Sequence, residues 1–286
     1  MPTLLGILLA CVLAAFLWLR RHMLYTEPNH IAITYHEIPL PEEHSELDGV
    51  VICHLTDLHI CEEERNQAAV SQAVRSVKAD LYAFTGDLIG GTQGIEHFLS
   101  WLDAMGASVR PAVLVLGNAE HKKDVDTQKL LDALHSRGIV VLNNRTVQMQ
   151  LRSGATLQIL GVDDPHTGLA DFAAAARSLD SKHFTLVLCH SPDGLADEAF
   201  PKADLVLCGH THGGQIRLPF IPVWWTNTRR VRGFVSGMYC GASVRKWIGA
   251  TSPQARVYVS RGLGTGGCRA RLLCPPELPV FTLRRK

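Results

Sequence analysis

Two imidazoles stand one residue apart in Gly209-His210-Thr211-His212-Gly213-Gly214, just after an apolar run from Asp204 to Leu207. Neutral imidazole offers a lone pair near physiological pH, which makes histidine the commonest metal ligand. The bracketing glycines let the backbone turn sharply, so both rings can reach one point beyond a strand end. Alone, such a pair serves equally well as a surface pair or a satisfied core pair. The rest of the chain changes that balance. Asp57 and His59, then Asp87, then Asn118, then His190 each follow an apolar stretch of strand length. Asp87 has two carboxylate oxygens with which to bridge two cations, Asn118 adds an amide oxygen, and His190 adds a third kind of position for an imidazole. Mixed nitrogen and oxygen ligation suits two divalent ions such as manganese, iron, zinc or nickel better than calcium or magnesium. Two such ions about 3.5–4 Å apart can hold an attacking hydroxide and clamp a phosphoryl group. Each residue also has a plainer use, since Asp after a strand often caps a helix and Asn after Gly often sits in a turn. Their recurrence in order, each directly after an apolar strand, is what points to a metal centre.

The elements that must position these residues read clearly. Val50–Thr56, Leu81–Thr85, Pro111–Leu116, Thr185–Cys189 and Leu205–Cys208 are short apolar runs, as expected of strands buried on both faces. Between the first of them lie helical patterns: Ala69, Val70, Ala73, Val74 and Val77, with Glu62–Glu64 suited to the helix N-terminus; then Ile95, Phe98, Leu99 and Leu102; then Leu130, Leu131 and Leu134. From Ile139 the style changes. Val140–Leu142, Val147–Leu151 and Leu157–Val162 read as strands, the last two joined at Ser153-Gly154 as a hairpin. An alanine-rich helix near Asp171–Leu179 follows. Ile216–Leu218, Val235–Tyr239, Val257–Ser260 and Pro279–Leu283 make the C-terminal part mostly β. This order fits an α/β (α+β) fold, a four-layer αββα sandwich of two mixed β-sheets flanked by helices.

At 286 residues and 47% hydrophobic content the chain can bury a sizeable core. We divide it into an N-terminal anchor (1–22), a linker with an edge strand around Ile31–Tyr35 (23–49) and a catalytic domain (50–286). A formal charge of +1 with 19% charged residues does not mark a nucleic-acid binder, and no obligate protein partner is indicated. Leu4–Leu19 carries no charge and approaches the length of a membrane span. Arg20 and Arg21 follow it and no basic residue precedes it, the reverse of a secretory signal. By the positive-inside rule the expectation is a single anchor in the inner (cytoplasmic) membrane with the domain in the cytoplasm. Of the eight cysteines, Cys53, Cys189 and Cys208 fall inside strand-like runs. Only Cys268 and Cys274 stand where a pair is conceivable, so a reducing compartment is expected.

With these residues in place the sequence resembles the calcineurin-like metallophosphoesterases. Their pattern Asp-x-His, Gly-Asp, Gly-Asn-His-Glu, His, Gly-His-x-His is matched by Asp57/His59, Gly86-Asp87, Gly117-Asn118, His190 and Gly209-His210-Thr211-His212. The later segments Gly213–Pro219, Tyr258–Gly264 and Pro276-Glu277-Leu278 resemble the membrane-anchored bacterial subgroup that includes UDP-2,3-diacylglucosamine pyrophosphatases. The resemblance implies one metal on Asp57, His59, Asp87 and His212, and a second on Asp87, Asn118, His190 and His210. Asp87 would bridge both, together with the nucleophilic hydroxide.

The match breaks at Gly117-Asn118-Ala119-Glu120-His121, where Ala119 replaces the histidine thought to protonate the leaving oxygen. Either His121 takes that role, or the leaving group needs little protonation, as a phosphate monoester does. General-acid help contributes ~10²–10⁴-fold, so its loss weighs most on alkyl esters. That favours a pyrophosphate bond in a lipid-linked nucleotide sugar, such as UDP-2,3-diacylglucosamine cleaved to a lipid monosaccharide phosphate and UMP. Another cell-envelope phosphodiester, or a non-catalytic scaffold, is the alternative. Phe220–Phe234 is basic and aromatic, and Trp224, Trp225 and Arg229 with Asp164 are candidate substrate contacts. Core tryptophans, a solvated arginine edge and a turn at Asp163-Asp164 near His166 are the plainer uses.

Overall fold

The computed structural model describes residues 2–62, 65–151, 153–223, 225–248 and 255–285. In chain order the elements are α1 (Pro2–Arg21), β1 (Ala32–Leu40), β2 (Val51–Leu55), α2 (Gln67–Ser76), β3 (Leu81–Thr85), α3 (Gly94–Met105), β4 (Ala112–Val115), α4 (Thr127–Ser136) and β5 (Val140–Val141). After these come β6 (Arg145–Gln150), β7 (Thr156–Gly161), α5 (Phe172–Ala175), β8 (Thr185–Leu188), β9 (Leu205–Cys208), β10 (Gly237–Tyr239), α6 (Ala242–Ile248), β11 (Arg256–Val259) and β12 (Glu277–Arg285).

The strands form two six-stranded mixed sheets, ordered β1-β12-β2-β3-β4-β5 and β10-β11-β9-β8-β7-β6. The side-chain alternation of the central strands explains why they stack. Ile52, Leu81 and Ala83 of the first sheet meet Leu186, Leu188, Leu205 and Leu207 of the second in one core between the sheets. The alternate residues Cys53, Leu55, Tyr82 and Phe84 pack outward on α2, α3 and α4. On the far side Val187, Val206 and Val257 pack with Phe172, Phe200 and Val244. Each central strand is thus covered on both faces and, apart from buried His54, Thr85 and Thr185, is built of apolar residues, which is the near-continuous pattern seen in the sequence. Two mixed sheets flanked by helices are the expected architecture, and they are what the chain forms.

Three details differ from the sequence reading. The early strand runs to Leu40 and pairs in parallel with β12 along nine residues, from Ala32–Glu277 to Leu40–Arg285. Ile216–Leu218 forms no strand, only a bridge from Ile216 to Leu272, because Arg217 and its neighbours belong to the cleft wall rather than a ladder. Helix α2 starts at Gln67 with no acidic residue in its first turn; Glu63 and Glu64 lie outside the described residues. No disulfide forms among the described cysteines. Helix α1 continues through a π turn (His22–Thr26) and a 3-10 turn (Glu27–Asn29). The helical stretch Thr3–Asn29 is long and apolar enough to cross a membrane.

Candidate metal centre

β2, β3 and β4 run parallel to one another, as do β8 and β9, so their C-terminal ends open at one edge of the sandwich. A crevice outside strand carboxyl ends is where open α/β sheets bind ligands. Asp57 and His59 leave β2, Asp87 leaves β3, Asn118 leaves β4, His190 leaves β8, and His210 and His212 leave β9. The structure brings all seven together.

Asp87 lies between two groups. Its Oδ2 is 3.5 Å from His59 Nε2 and its Oδ1 is 3.4 Å from His190 Nε2. On the first side His59 Nε2 faces His212 Nε2 at 3.1 Å, and His212 Nε2 is 3.5 Å from Asp57 Oδ1. On the other, His210 Nδ1 faces His190 Nε2 at 3.1 Å. Second partners fix the rings: His190 Nδ1 donates to the Thr85 carbonyl at 2.6 Å, and His210 Nε2 to that of Asn227 at 3.3 Å. Such outer hydrogen bonds set the tautomer and turn the other nitrogen to the centre. The Asn118 amide oxygen is buried with no donor.

Two pairs of ring nitrogens facing each other at hydrogen-bonding distance, two buried carboxylates and an orphaned amide oxygen are what cations would reconcile. Charge tells the same story. Burial lowers His59, and burial with the charge of His190 takes His210 down to about 3. His212 is pushed well below the ordinary histidine range, again first by burial. Neutral imidazole is the ligating form. Burial works against a proton on His190, but the charges of Asp87 and Asp57 outweigh it and raise the ring to about 9. Asp57 is raised, chiefly by burial, whereas Asp87 is held down despite burial by His190, His59 and the Ala119 N–H. The surroundings therefore call for positive charge beside Asp87.

The backbone is shaped for this convergence. Asp57, His59, Asp87, His210 and His212 all have positive φ, between 46° and 70°, a conformation that non-glycine residues adopt at a cost and that collects at functional sites. Neighbouring glycines give the clearance. A Cβ on Gly117 would meet Asp87 Oδ1 at 2.5 Å and the Asp87 nitrogen at 2.6 Å, and one on Gly209 would collide with Thr56 and Asp57. Glu120, fully buried, accepts from the N–H groups of Asp87, Leu88, Ile89 and Gly117 and thereby ties the Asp87 loop to the Asn118 loop. Burial, with the charge of Asp87, pushes it up to about 7.

A cleft of about 780 Å³ opens over the centre, lined by His59, Asp87, Asn118, His210 and His212, and by Lys122 on its wall. Of the remaining sequence candidates that the structure describes, Trp225 alone lines this cleft. His121 is not part of that lining; its Nε2 is 2.6 Å from Asp163 Oδ1. Asp164 is buried and accepts from the N–H groups of His166 and Thr167, capping the turn that follows β7. The Arg229 N–H donates to Asp193, and its guanidinium lies 3.5 Å from His166 Nε2 at an adjacent, smaller cavity. Trp225 is on the rim of the main cleft and exposed; Trp224 lies outside the described residues. Sequence reasoning missed Lys122, which no motif distinguishes, and Arg271. Arg271 is fully buried, donates to the carbonyls of Arg261, Gly262, Gly264 and Cys274, and carries the loop behind Asp57 and His212.

The chain is similar to several known proteins. The family model described as calcineurin-like phosphoesterase matches residues 50–214. The uncharacterized metallophosphoesterase YkuE of Bacillus subtilis is 29% identical over 265 residues, spanning 91% of this chain and 88% of that protein. YkoQ of the same organism, likewise an uncharacterized metallophosphoesterase, is 30% identical over 232 residues, spanning 79% and 81%. The UDP-2,3-diacylglucosamine pyrophosphatase LpxG of Chlamydia muridarum is 24% identical over 306 residues and spans 90% of each chain.

Proposed function

The chain belongs to the calcineurin-like phosphoesterase family and is a metal-dependent phosphoester hydrolase; from that premise we propose how its site is used. Asp57, His59, Asp87 and His212 hold one divalent cation, and Asp87, Asn118, His190 and His210 a second. The observation that carries this reading is the meeting of seven ligand-type side chains from five strand ends, with ring nitrogens turned toward one another and toward Asp87. Manganese is our first choice, with iron, zinc or nickel suited to the same donors. When bound, the two cations would supply Lewis acidity to the phosphoryl oxygens and lower the pKa of water. The protein's part is geometric. Thr85 and Asn227 keep His190 and His210 in the ligating tautomer, Glu120 and the Ala119 N–H fix Asp87, and Lys122 adds a positive charge on the cleft wall beside a phosphoryl group.

For the substrate we favour a pyrophosphate bond in a lipid-linked nucleotide sugar, UDP-2,3-diacylglucosamine being the specific candidate. Three things support it: the name of the Chlamydia muridarum relative, a cleft with apolar as well as polar walls, and the loss of an imidazole at Ala119. Turnover of this UDP-lipid should exceed that of bis-p-nitrophenyl phosphate in manganese. Equal or faster cleavage of the generic diester would end the assignment. We further propose that the Thr3–Asn29 helix anchors the chain in the cytoplasmic membrane with its domain on the cytoplasmic side. Labelling of exposed Cys240 and Cys268 in intact cells by an impermeant thiol reagent would refute that topology.

A further inference from the structure

The rim of the cleft carries an apolar face that the chemistry at the metal centre does not use. Ile216, Leu218, Ile221 and Trp225 line the cleft yet are exposed to between 38% and 74%. Phe220 beside them is fully exposed, and so is more than half of Leu273. A contiguous exposed patch of this kind marks an interaction site.

Backbone hydrogen bonds connect this face to the base of the N-terminal helix. Arg217 donates to the Leu272 carbonyl at 2.8 Å, and Leu272 donates to that of Gln215 at 3.1 Å. One residue before Leu272, the Arg271 N–H donates to the Met23 carbonyl at 3.0 Å. One residue after Leu273, the Cys274 N–H donates to the Glu27 carboxylate. Asn66 adds a bond to the Pro28 carbonyl at 2.9 Å. The helix above this base is exposed along its length, and Arg20 and Arg21 close α1. Arg65 and Arg269 line the recess around Leu24 and Tyr25. An apolar helix, four arginines near its base and an apolar rim tied to that base describe one surface: hydrocarbon above, anionic headgroups at the arginines.

We propose that Ile216, Leu218, Phe220, Ile221, Trp225 and Leu273 dock on the bilayer surface, held at that depth by the helix base. The cleft would then take its substrate, an acyl-chain phosphoester, directly from the leaflet. The occupant of the face is lipid. The substrate half of this inference rests on the phosphoesterase reading; the docking half does not.

Two measurements on the full chain reconstituted in phosphatidylethanolamine–phosphatidylglycerol vesicles test it. In a background with Cys11, Cys61, Cys240 and Cys268 replaced by serine, Phe220→Cys carries an environment-sensitive fluorophore. Gln148→Cys, on the opposite edge strand β6, is the control. Quenching of the Phe220→Cys label by shallow nitroxide lipids, without quenching of the control, is expected; equal response at both sites overturns docking. The second measurement uses Phe220→Asp combined with Leu273→Asp. Neither residue lines the cleft, and both have positive φ, which Asp tolerates. Turnover of UDP-2,3-diacylglucosamine presented in the vesicles should fall at least about ten-fold while soluble bis-p-nitrophenyl phosphate is cleaved as before. Unchanged turnover of the vesicle substrate, or an equal fall on both substrates, overturns direct entry from the leaflet. A native chain that cleaves neither substrate yet shows the quenching would refute the phosphoesterase reading and leave docking standing.

Discussion

Gly117→Ala is the smallest change that should disable both halves of the centre at once. The new methyl would sit 2.5 Å from Asp87 Oδ1, 2.6 Å from the Asp87 nitrogen and 2.9 Å from His190 Cε1. Real Cβ atoms do not approach closer than 3.0 Å, so Asp87 must retreat by about 0.5 Å, the tolerance within which a reactive constellation works. A side-chain rotation cannot absorb the shift, because one of the colliding atoms is backbone and Glu120 fixes that same nitrogen at 2.9 Å. Overpacking of this kind costs about 1–3 kcal/mol, which a domain of this size survives. Misplacing a positioning group by ~1 Å costs ~10²-fold in rate, so turnover should fall by roughly 10-fold to 100-fold. Since Asp87 faces both ligand groups, metal content after dialysis should fall below two ions per chain, not from two to one with the remaining site intact. Gly233→Ala, where a Cβ would meet nothing within 4 Å, is the control. Elemental analysis by mass spectrometry, thermal unfolding and phosphodiester turnover read the three quantities. A folded Gly117→Ala protein with two ions and native turnover would refute the placement of Asp87 between the cations.

Chelation should abolish turnover and lower the melting temperature, and added manganese should restore both. The cations bind only the folded chain, so saturation at about 100 times Kd should add about 2.7 kcal/mol per site; a melting curve indifferent to metal would count against the site. Asp163 raises the His121 pKa above the ordinary 6.5, chiefly through their hydrogen bond. This pair therefore stabilises the fold fully below pH 6.5 and loses that contribution as pH rises through the raised value. Asp163→Asn should flatten the decline in stability across that interval in urea titrations, and an unaltered pH profile would exclude the pairing. His121→Ala should leave kcat on a pyrophosphate substrate within about two-fold, whereas general-acid removal would cost ~10²-fold or more. Arg271→Met removes a guanidinium that donates to four carbonyl groups. The expected cost is about 1–3 kcal/mol, with faster hydrogen exchange at the Arg271 and Cys274 amides; native exchange there would show that the loop holds itself.

What the sequence made legible follows from how the site is built. Ligands placed two to four residues beyond strands buried on both faces leave a local signature, an apolar run and then Asp, Asn or His. The two-sheet architecture is legible for the same reason: Leu81–Phe84 or Leu205–Cys208 can be apolar throughout only when both faces are covered. The rest is non-local. The parallel pairing of β1 with β12 joins residues about 245 apart in the chain, and nothing near Ala32 announces Glu277. Arg271 looks like any arginine in a surface loop until the carbonyls of Arg261, Gly262 and Gly264 surround it. His121 shows the limit most plainly. Nearness in sequence to Asn118 made it a natural acid, but its ring direction is set by Asp163, on a strand end of the other sheet.

That placement bears on the chemistry of the whole centre. Ala119 is completely buried and its N–H donates to Asp87 Oδ1 at 2.7 Å, so its backbone is part of the apparatus that holds the carboxylate. The methyl side chain brings no proton, and the nearest histidine in sequence is committed to Asp163. Lys122 and Arg217 both line the cleft; Arg217 is engaged with the Gly213 carbonyl and Ser236, which leaves the Lys122 ammonium to face a developing anion. A site with the proposed cation-holding residues together, no imidazole from this loop in the cleft and the Lys122 ammonium on its wall is suited to leaving groups that depart as stable anions. A phosphate monoester is one and an unactivated alkoxide is not, by a margin set by the ~10²–10⁴-fold that general-acid catalysis contributes. The proposed pyrophosphate specificity therefore rests on leaving-group acidity, and it predicts a steep dependence of kcat on leaving-group pKa across a series of aryl phosphodiesters. Lys122→Ala should steepen that dependence further, because the poorer leaving groups lose the most when the ammonium is removed. A shallow slope that Lys122→Ala leaves unaltered would mean that protonation reaches the leaving oxygen by another route, and the substrate argument from Ala119 would fall with it.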